Sequence, residues 1–93
     1  MNESAAFEPK KGLAYRKIQD EMVLVDPETN LLLRLNETGA FIWERLASAP
    51  FERIVQGLAE TYEVSSTDAA ADTQSFIDLL LEKKLIVRTG VKK

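Results

Sequence analysis

Leu31-Leu32-Leu33-Arg34-Leu35-Asn36-Glu37-Thr38-Gly39-Ala40-Phe41-Ile42-Trp43 decides the fold, because an apolar run of strand period meets a helix start across the polar joint Asn-Glu-Thr-Gly. Leu31, Leu33 and Leu35 alternate onto one face and Leu32 and Arg34 onto the other, as a half-buried strand requires. Asn36 suits an N-cap, since its side-chain oxygen can accept from amides of the first helical turn. Phe41, Ile42, Arg45 and Leu46 follow at helical spacing, with Trp43 and Glu44 beside them. The apolar period therefore changes from about 2 to about 3.6 within a few residues.

Upstream of this joint, residues 13–18 and 22–25 read as two short strands separated by Gln19-Asp20-Glu21, a polar connection of hairpin length. Asp26-Pro27-Glu28-Thr29-Asn30 forms the next turn. Pro27 sets φ at its first corner, and Asn30 tolerates a left-handed backbone. Short links make sequential strands pair, so a three-stranded antiparallel meander is predicted.

Downstream, three helices are expected. The first covers 37–47 and stops at Ser48-Ala49-Pro50, because Pro50 cannot continue the amide ladder. Pro50 also suits the start of a second helix over 51–62, where Phe51, Ile54, Val55, Leu58 and Tyr62 form one stripe. Ser65-Ser66-Thr67-Asp68 supplies a cap and an acidic first turn for a third helix over 67–83. Its inward set is Ala69, Thr73, Phe76, Ile77 and Leu80, and Lys83 and Lys84 complement the dipole at its C-terminal end. Leu85-Ile86-Val87-Arg88 reads as a short closing strand. Strands first and helices afterwards make an α+β fold, winged-helix-like, with a three-stranded antiparallel sheet followed by a three-helix bundle. The expected organisation is a flexible arm over 1–12, one domain over 13–88 and a frayed tail over 89–93.

Composition narrows the chemistry. The 93 residues are 45% hydrophobic and 29% charged, with 4 Gly and 3 Pro, which places the chain among ordinary globular proteins. Cysteine and histidine are absent. Disulfide frameworks, thiolate nucleophiles, Ser-His triads and ordinary zinc sites are thereby excluded, and no cofactor is expected. A formal net charge of −3 gives no broad attraction to phosphate backbones or anionic lipid, so neither nucleic acid nor membrane is an expected partner. Met1-Asn2-Glu3-Ser4 lacks a basic n-region and an apolar h-region, which makes a cytoplasmic location the expectation. Asp68 and Asp72 stand at i, i+4 with Glu63 nearby. Without histidine or an oxygen-rich turn they read as solvated acids and not as a metal site.

From Leu31 onward the sequence resembles the PqqD-like family, which includes pyrroloquinoline quinone biosynthesis protein D and the recognition elements of ribosomally made, modified peptides. Leu35-Asn36-Glu37-Thr38-Gly39-Ala40-Phe41-Ile42-Trp43 is similar to that family's strand-to-helix joint. Ile54, Leu58-Ala59-Glu60-Thr61-Tyr62-Glu63-Val64, then Ala71-Asp72-Thr73, Phe76-Ile77, Leu80 and Leu85-Ile86 resemble its helical run. Two positions depart from the pattern. Family members often carry Asp-Gly between the first two helices, where this chain has Ala47-Ser48-Ala49-Pro50, and a Gly before the closing Leu-Ile, where it has Lys84.

The resemblance implies a non-catalytic peptide chaperone. It would hold the leader of a precursor peptide as a strand added beside Leu31–Leu35, against a groove on the third helix, and present it to a modifying enzyme, frequently a radical S-adenosylmethionine protein. An edge strand supplies unpaired amides and carbonyls for such pairing, and alternate pockets give selectivity. The expected peptide-binding residues are Leu31, Leu32, Leu33, Arg34 and Leu35 on the strand with Asp72, Ser75, Phe76 and Leu79 on the helix. Leu33 and Leu35 read first as plain core, whereas Leu32 and Arg34, which the period sends to the opposite face, are the better candidates for contact, Arg34 by pairing with an acidic leader residue. Asp72 reads otherwise as an ordinary solvated helix residue, and Trp43 as a structural anchor. The same open edge can pair with a second copy, so a homodimer is also expected as a competing state. The alternative function is a winged-helix DNA-binding or regulatory domain. Its recognition helix would begin Thr67-Asp68-Ala69-Ala70-Ala71-Asp72, acidic where phosphate contacts call for Lys or Arg.

Overall fold

Alternation along the central strand determines what lies inside. In the computed structural model, which describes residues 7–88, the chain runs β1 (Phe7–Pro9), β2 (Ala14–Ile18), β3 (Glu21–Asp26), β4 (Leu31–Leu35), α1 (Glu37–Leu46), α2 (Phe51–Tyr62), α3 (Ser66–Glu82) and β5 (Ile86–Arg88). On β3, Met22, Leu24 and Asp26 are buried while Val23 and Val25 are only half-buried. β3 pairs antiparallel with both β2 and β4, so the predicted meander is present with order β2-β3-β4. Its turns use left-handed residues, Gln19 at φ 59° and Asn30 at φ 63°. Asn30 is the position that the sequence marks for that conformation.

The helices cover one face of this sheet. Ile42, Leu46, Ile54, Leu58, Ile77 and Leu80 form a single core with Met22, Leu24 and Leu35. Trp43 is buried and meets Tyr15 of β2 edge-on at 5.6 Å between ring centroids, an anchoring role. Phe41 joins α1 to α2, its ring edge-on to Tyr62 at 5.7 Å and its other side stacked under the Arg45 guanidinium at 3.6 Å. Among the described residues, no helix is long and apolar enough to cross a membrane.

The N-terminal segment differs from expectation. Phe7–Pro9 is a strand paired antiparallel with β5, in the register Phe7↔Arg88, Glu8↔Val87 and Pro9↔Ile86. Three residues are too few to show a period, and the partner lies at the far end of the sequence, which is why the arm reads as loose. Residues 1–6, and the tail expected over 89–93, lie outside the described residues.

Lys10 fastens this two-stranded sheet to the larger one. Its amide donates to Leu85 O at 2.9 Å, and its ammonium lies 2.7 Å from Asp26 Oδ2 and 2.6 Å from Glu28 Oε1. Asp26 is only 2% exposed, and it also accepts the Glu28 amide at 3.0 Å. The Lys10 hydrogen bond holds the Asp26 carboxyl below the ordinary carboxylate range, against burial, which pushes it up. The same bond, with that to Glu28, raises the Lys10 ammonium. A depressed carboxylate stabilises the fold fully above its unfolded value, and that stabilisation is lost as pH falls through the folded value. A raised ammonium stabilises fully below its unfolded value, and that contribution disappears only as strong alkali deprotonates it.

α3 ends in a Schellman arrangement, with the Leu85 amide donating to Leu80 O at 2.9 Å and the Lys84 amide to Leu81 O at 3.0 Å. Lys84 adopts φ 60° there. A lysine in this left-handed position carries a cost that glycine does not. Lys84→Gly is therefore expected to stabilise the domain by about 1 kcal/mol in urea melts. Asp26→Asn is expected to lower stability at about pH 7 and to flatten the loss of stability seen in the parent between about pH 5 and about pH 2, measured by the same melts across pH.

Candidate functional site

Among the described residues, β4 has a sheet neighbour on one side only, β3, and its other edge faces the flank of α3. The joint that follows β4 shapes this region. Asn36 caps α1 by accepting the Gly39 amide at 2.9 Å, and the Thr38 hydroxyl donates to the same oxygen at 3.1 Å. Gly39 is buried against the end of the strand. A Cβ there would stand 3.3 Å from Asn36 Oδ1, 3.3 Å from Leu35 Cβ and 3.6 Å from Phe76 Cε1. The missing side chain thus lets α1 start close to both β4 and α3.

Between β4 and α3 runs a groove of about 380 Å³. Leu33, Arg34 and Leu35 line its strand side, Asp72, Ser75, Phe76 and Leu79 its helix side, and Asn36, Thr38, Gly39 and Ile42 the end at the joint. Leu35 and Ile42 are buried, Leu33 and Phe76 are half-buried, and Leu79 is 37% exposed. The lining is mostly apolar, with Arg34 the charged residue of the strand and Asp72 that of the helix. Arg34 already holds an internal partner, since its Nη2 lies 2.6 Å from Glu21 Oε1, with both side chains exposed. An exposed pair of this kind contributes little to stability and can exchange partners.

Seven of the nine residues singled out from the sequence meet in this groove: Leu33, Arg34, Leu35, Asp72, Ser75, Phe76 and Leu79. Leu31 and Leu32 do not line it. Leu31 packs partly buried against the core, and Leu32 is 59% exposed on the outer face of the sheet. Strand alternation accounts for Leu32, because it points away from the helices. Asn36, Thr38, Gly39 and Ile42 were not selected by sequence reasoning. Their signal was present in the cap itself: a helix that starts one residue after a strand places its first turn in the wall beside that strand.

Two other depressions differ in character. One of about 530 Å³ lies between α2 and the start of α3, lined by Phe51, Val55, Ala59 and Ala70 among others, with no strand edge. The second is polar, about 280 Å³, and includes Glu37, Glu44, Arg45 and Tyr62. Burial, with the nearby Glu37 carboxylate, raises the Tyr62 phenol. The β4–α3 groove combines both elements that strand addition uses, an open ladder and side-chain pockets.

Residues 21–86 match the family profile described as Coenzyme PQQ synthesis protein D (PqqD). The chain belongs to the PqqD family. No curated protein sequence matches it. Solved structures share its architecture. The chain is similar to TbiB1 in complex with the TbiA(beta) leader peptide, at 25% identity and a TM-score of 0.79, covering 92% of this chain and 99% of that one. It is similar to lasso peptide synthetase B1 complexed with the leader peptide, at 28% identity and a TM-score of 0.82, covering 89% and 99%. The PqqD truncation of Methylobacterium extorquens PqqCD, a functional and stand-alone recognition element for ribosomally synthesized and post-translationally modified peptides, shares the fold at 20% identity and a TM-score of 0.72, covering 89% of each chain. The α+β architecture read from the sequence is therefore that of these proteins.

Asn36→Ala removes the oxygen that caps α1 and organises the groove's end. The expected cost is about 1 kcal/mol in thermal or urea unfolding, with Asn36→Asp retaining most of the stability.

Proposed function

We propose that this chain is a non-catalytic peptide-binding accessory protein of the cytoplasm. It holds the leader of a ribosomally made precursor peptide as a fourth strand beside β4 and presents it to a modifying enzyme, for which a radical S-adenosylmethionine protein is the first candidate. The observation that carries this reading is the open β4 edge lying against an apolar groove on α3, in a fold shared with two leader-peptide complexes. Main-chain pairing along Leu31–Leu35 supplies affinity that does not depend on peptide sequence. Alternate leader side chains then enter between Leu33, Leu35, Phe76 and Leu79, where burial of each aliphatic group is worth roughly 1.5–3 kcal/mol. Arg34 favours a leader carboxylate close to the strand, at the expense of its pair with Glu21.

The test is an amide-shift titration of the labelled protein with overlapping peptides from small reading frames beside its gene. Saturable shifts along 31–35 and 72–80 are expected, and shifts nowhere would overturn the reading. Leu79→Glu places a charge on the helix wall, and leader affinity is expected to fall about thirtyfold with the fold intact by circular dichroism. Sedimentation run in parallel reads the competing state, in which β4 pairs with a second copy and the leader dissolves that dimer.

A further inference from the structure

Only one flank of α3 belongs to the leader groove. Asp72, Ser75, Phe76 and Leu79 turn toward β4, whereas Ser66 and Ala70 turn toward α2 and form one wall of the 530 Å³ depression. Its other wall is α2, where Phe51, Val55 and Ala59 are buried or half-buried and Glu52, Gln56 and Glu60 are exposed. Both rows repeat every four residues, so the depression is a groove that follows one helix, with an apolar floor and a polar rim. From Phe51 to Glu60 it runs about 14 Å, or about two and a half helical turns. Alanine at positions 59 and 70 leaves room for another backbone to come close.

Shape and charge specify what covers it. A groove bounded by rows at i, i+4 receives a helix, ridge into groove, through an apolar stripe at i, i+4 and i+7. The rim carries two carboxylates, Glu52 and Glu60, and none of the described residues lining the groove is basic. A second copy meets this surface badly. Pairing α2 with itself about a two-fold axis at Gln56 sets Glu52 of one copy against Glu60 of the other. No helix of this chain carries more than one cation: Arg45 on α1, Arg53 on α2 and none on α3. With a net charge of −3 on the whole chain, the cations that complement this rim come from another protein. A single helix laid here buries less than the roughly 1,200 Å² at which stable interfaces begin, so the contact belongs to the reversible, transient class.

We propose that the α2–α3 groove is a docking site for an amphipathic helix of a partner protein, whose apolar stripe enters the groove and whose lysines or arginines stand beside Glu52 and Glu60. The proposal is independent of leader binding. Because the two grooves lie on different flanks of α3, this helix and an added strand beside β4 can be held at the same time.

The experiment titrates the labelled full chain, without leader, with three synthetic helical peptides of about 14 residues. All share a leucine stripe at i, i+4 and i+7 and differ only in the residues that border it: lysine, glutamine or glutamate. The lysine peptide is expected to shift the amides of 51–60, 66 and 70 saturably. It is expected to bind about tenfold more tightly than the glutamine peptide, by a margin that shrinks as salt is raised, and the glutamate peptide about tenfold more weakly. Glu52→Lys and Glu60→Lys, combined in one chain, replace exposed side chains and are expected to invert that order with the circular dichroism of the parent retained. Equal binding of the three peptides to the parent, or an unchanged order in the folded variant, overturns the proposal. Lysine-peptide shifts as strong at Asp72 and Asp78 as along α2 overturn it too, since they report attraction to acidic surface in general. Shifts at 51–60 that grow with protein concentration alone would give the groove to a second copy and likewise overturn it. With no leader in the sample, each result reads this groove and leaves the peptide-binding function to its own titration.

Discussion

The closure of Asn36 onto the Gly39 amide is the constraint on which the rest of the arrangement turns. It stops β4 and starts α1 within one residue, so the helix leaves the sheet at a fixed place with no loop to absorb error. Leu35 is the last strand residue and a core residue, and the Gly39 backbone packs directly on it. Because Gly39 has no Cβ, Phe76 of α3 can come within contact distance of the same spot. Strand end, helix start and third helix thus converge on one point, and the groove is the space that remains beside it.

Around that point, the domain is held by two different kinds of force. The core of the meander and the helices is apolar and continuous. The smaller sheet of β1 and β5 is joined to it in part through a buried carboxylate, Asp26, and its lysine partner. Such a pair repays its desolvation only when the hydrogen bonds around it are complete, and Asp26 has the Glu28 amide as well as Lys10. This pair fixes where the N-terminal strand lies relative to the turn that leads into β4. Among the described residues the outer sheet face has no comparable covering, and it leaves Ile18 and Leu32 exposed.

Much of this was readable from the sequence, and for definite reasons. The alternation of Leu31–Leu35, the Asn36 cap and the stripe of α2 each repeat a geometric period several times, so their elements and their inward residues emerge together. The inward set of α3 is likewise as observed, with Ala69, Thr73, Ile77 and Leu80 buried and Phe76 at the groove margin. What stayed hidden is non-local or too short to repeat. The strand Phe7–Pro9 depends on β5, and the burial of Asp26 depends on Lys10, sixteen positions away. The groove's end at Thr38, Gly39 and Ile42 was read as helix start alone, since no local pattern says which element lies across from it. Lys84 shows the reverse relation. The position where relatives often carry glycine is left-handed in the structure, so the departure from the family pattern marks a strained residue.

The pairing of β1 with β5 has a topological consequence. With Phe7 opposite Arg88 in register, the two ends of the described residues lie side by side on one ladder, in a sheet separate from that of β4. A unit whose first and last described strands pair with each other can be spliced into a surface loop of another protein, or joined end to end and reopened elsewhere, without stretching its interior. The fold is in this sense portable: a cassette whose seam is closed by its own outermost strands.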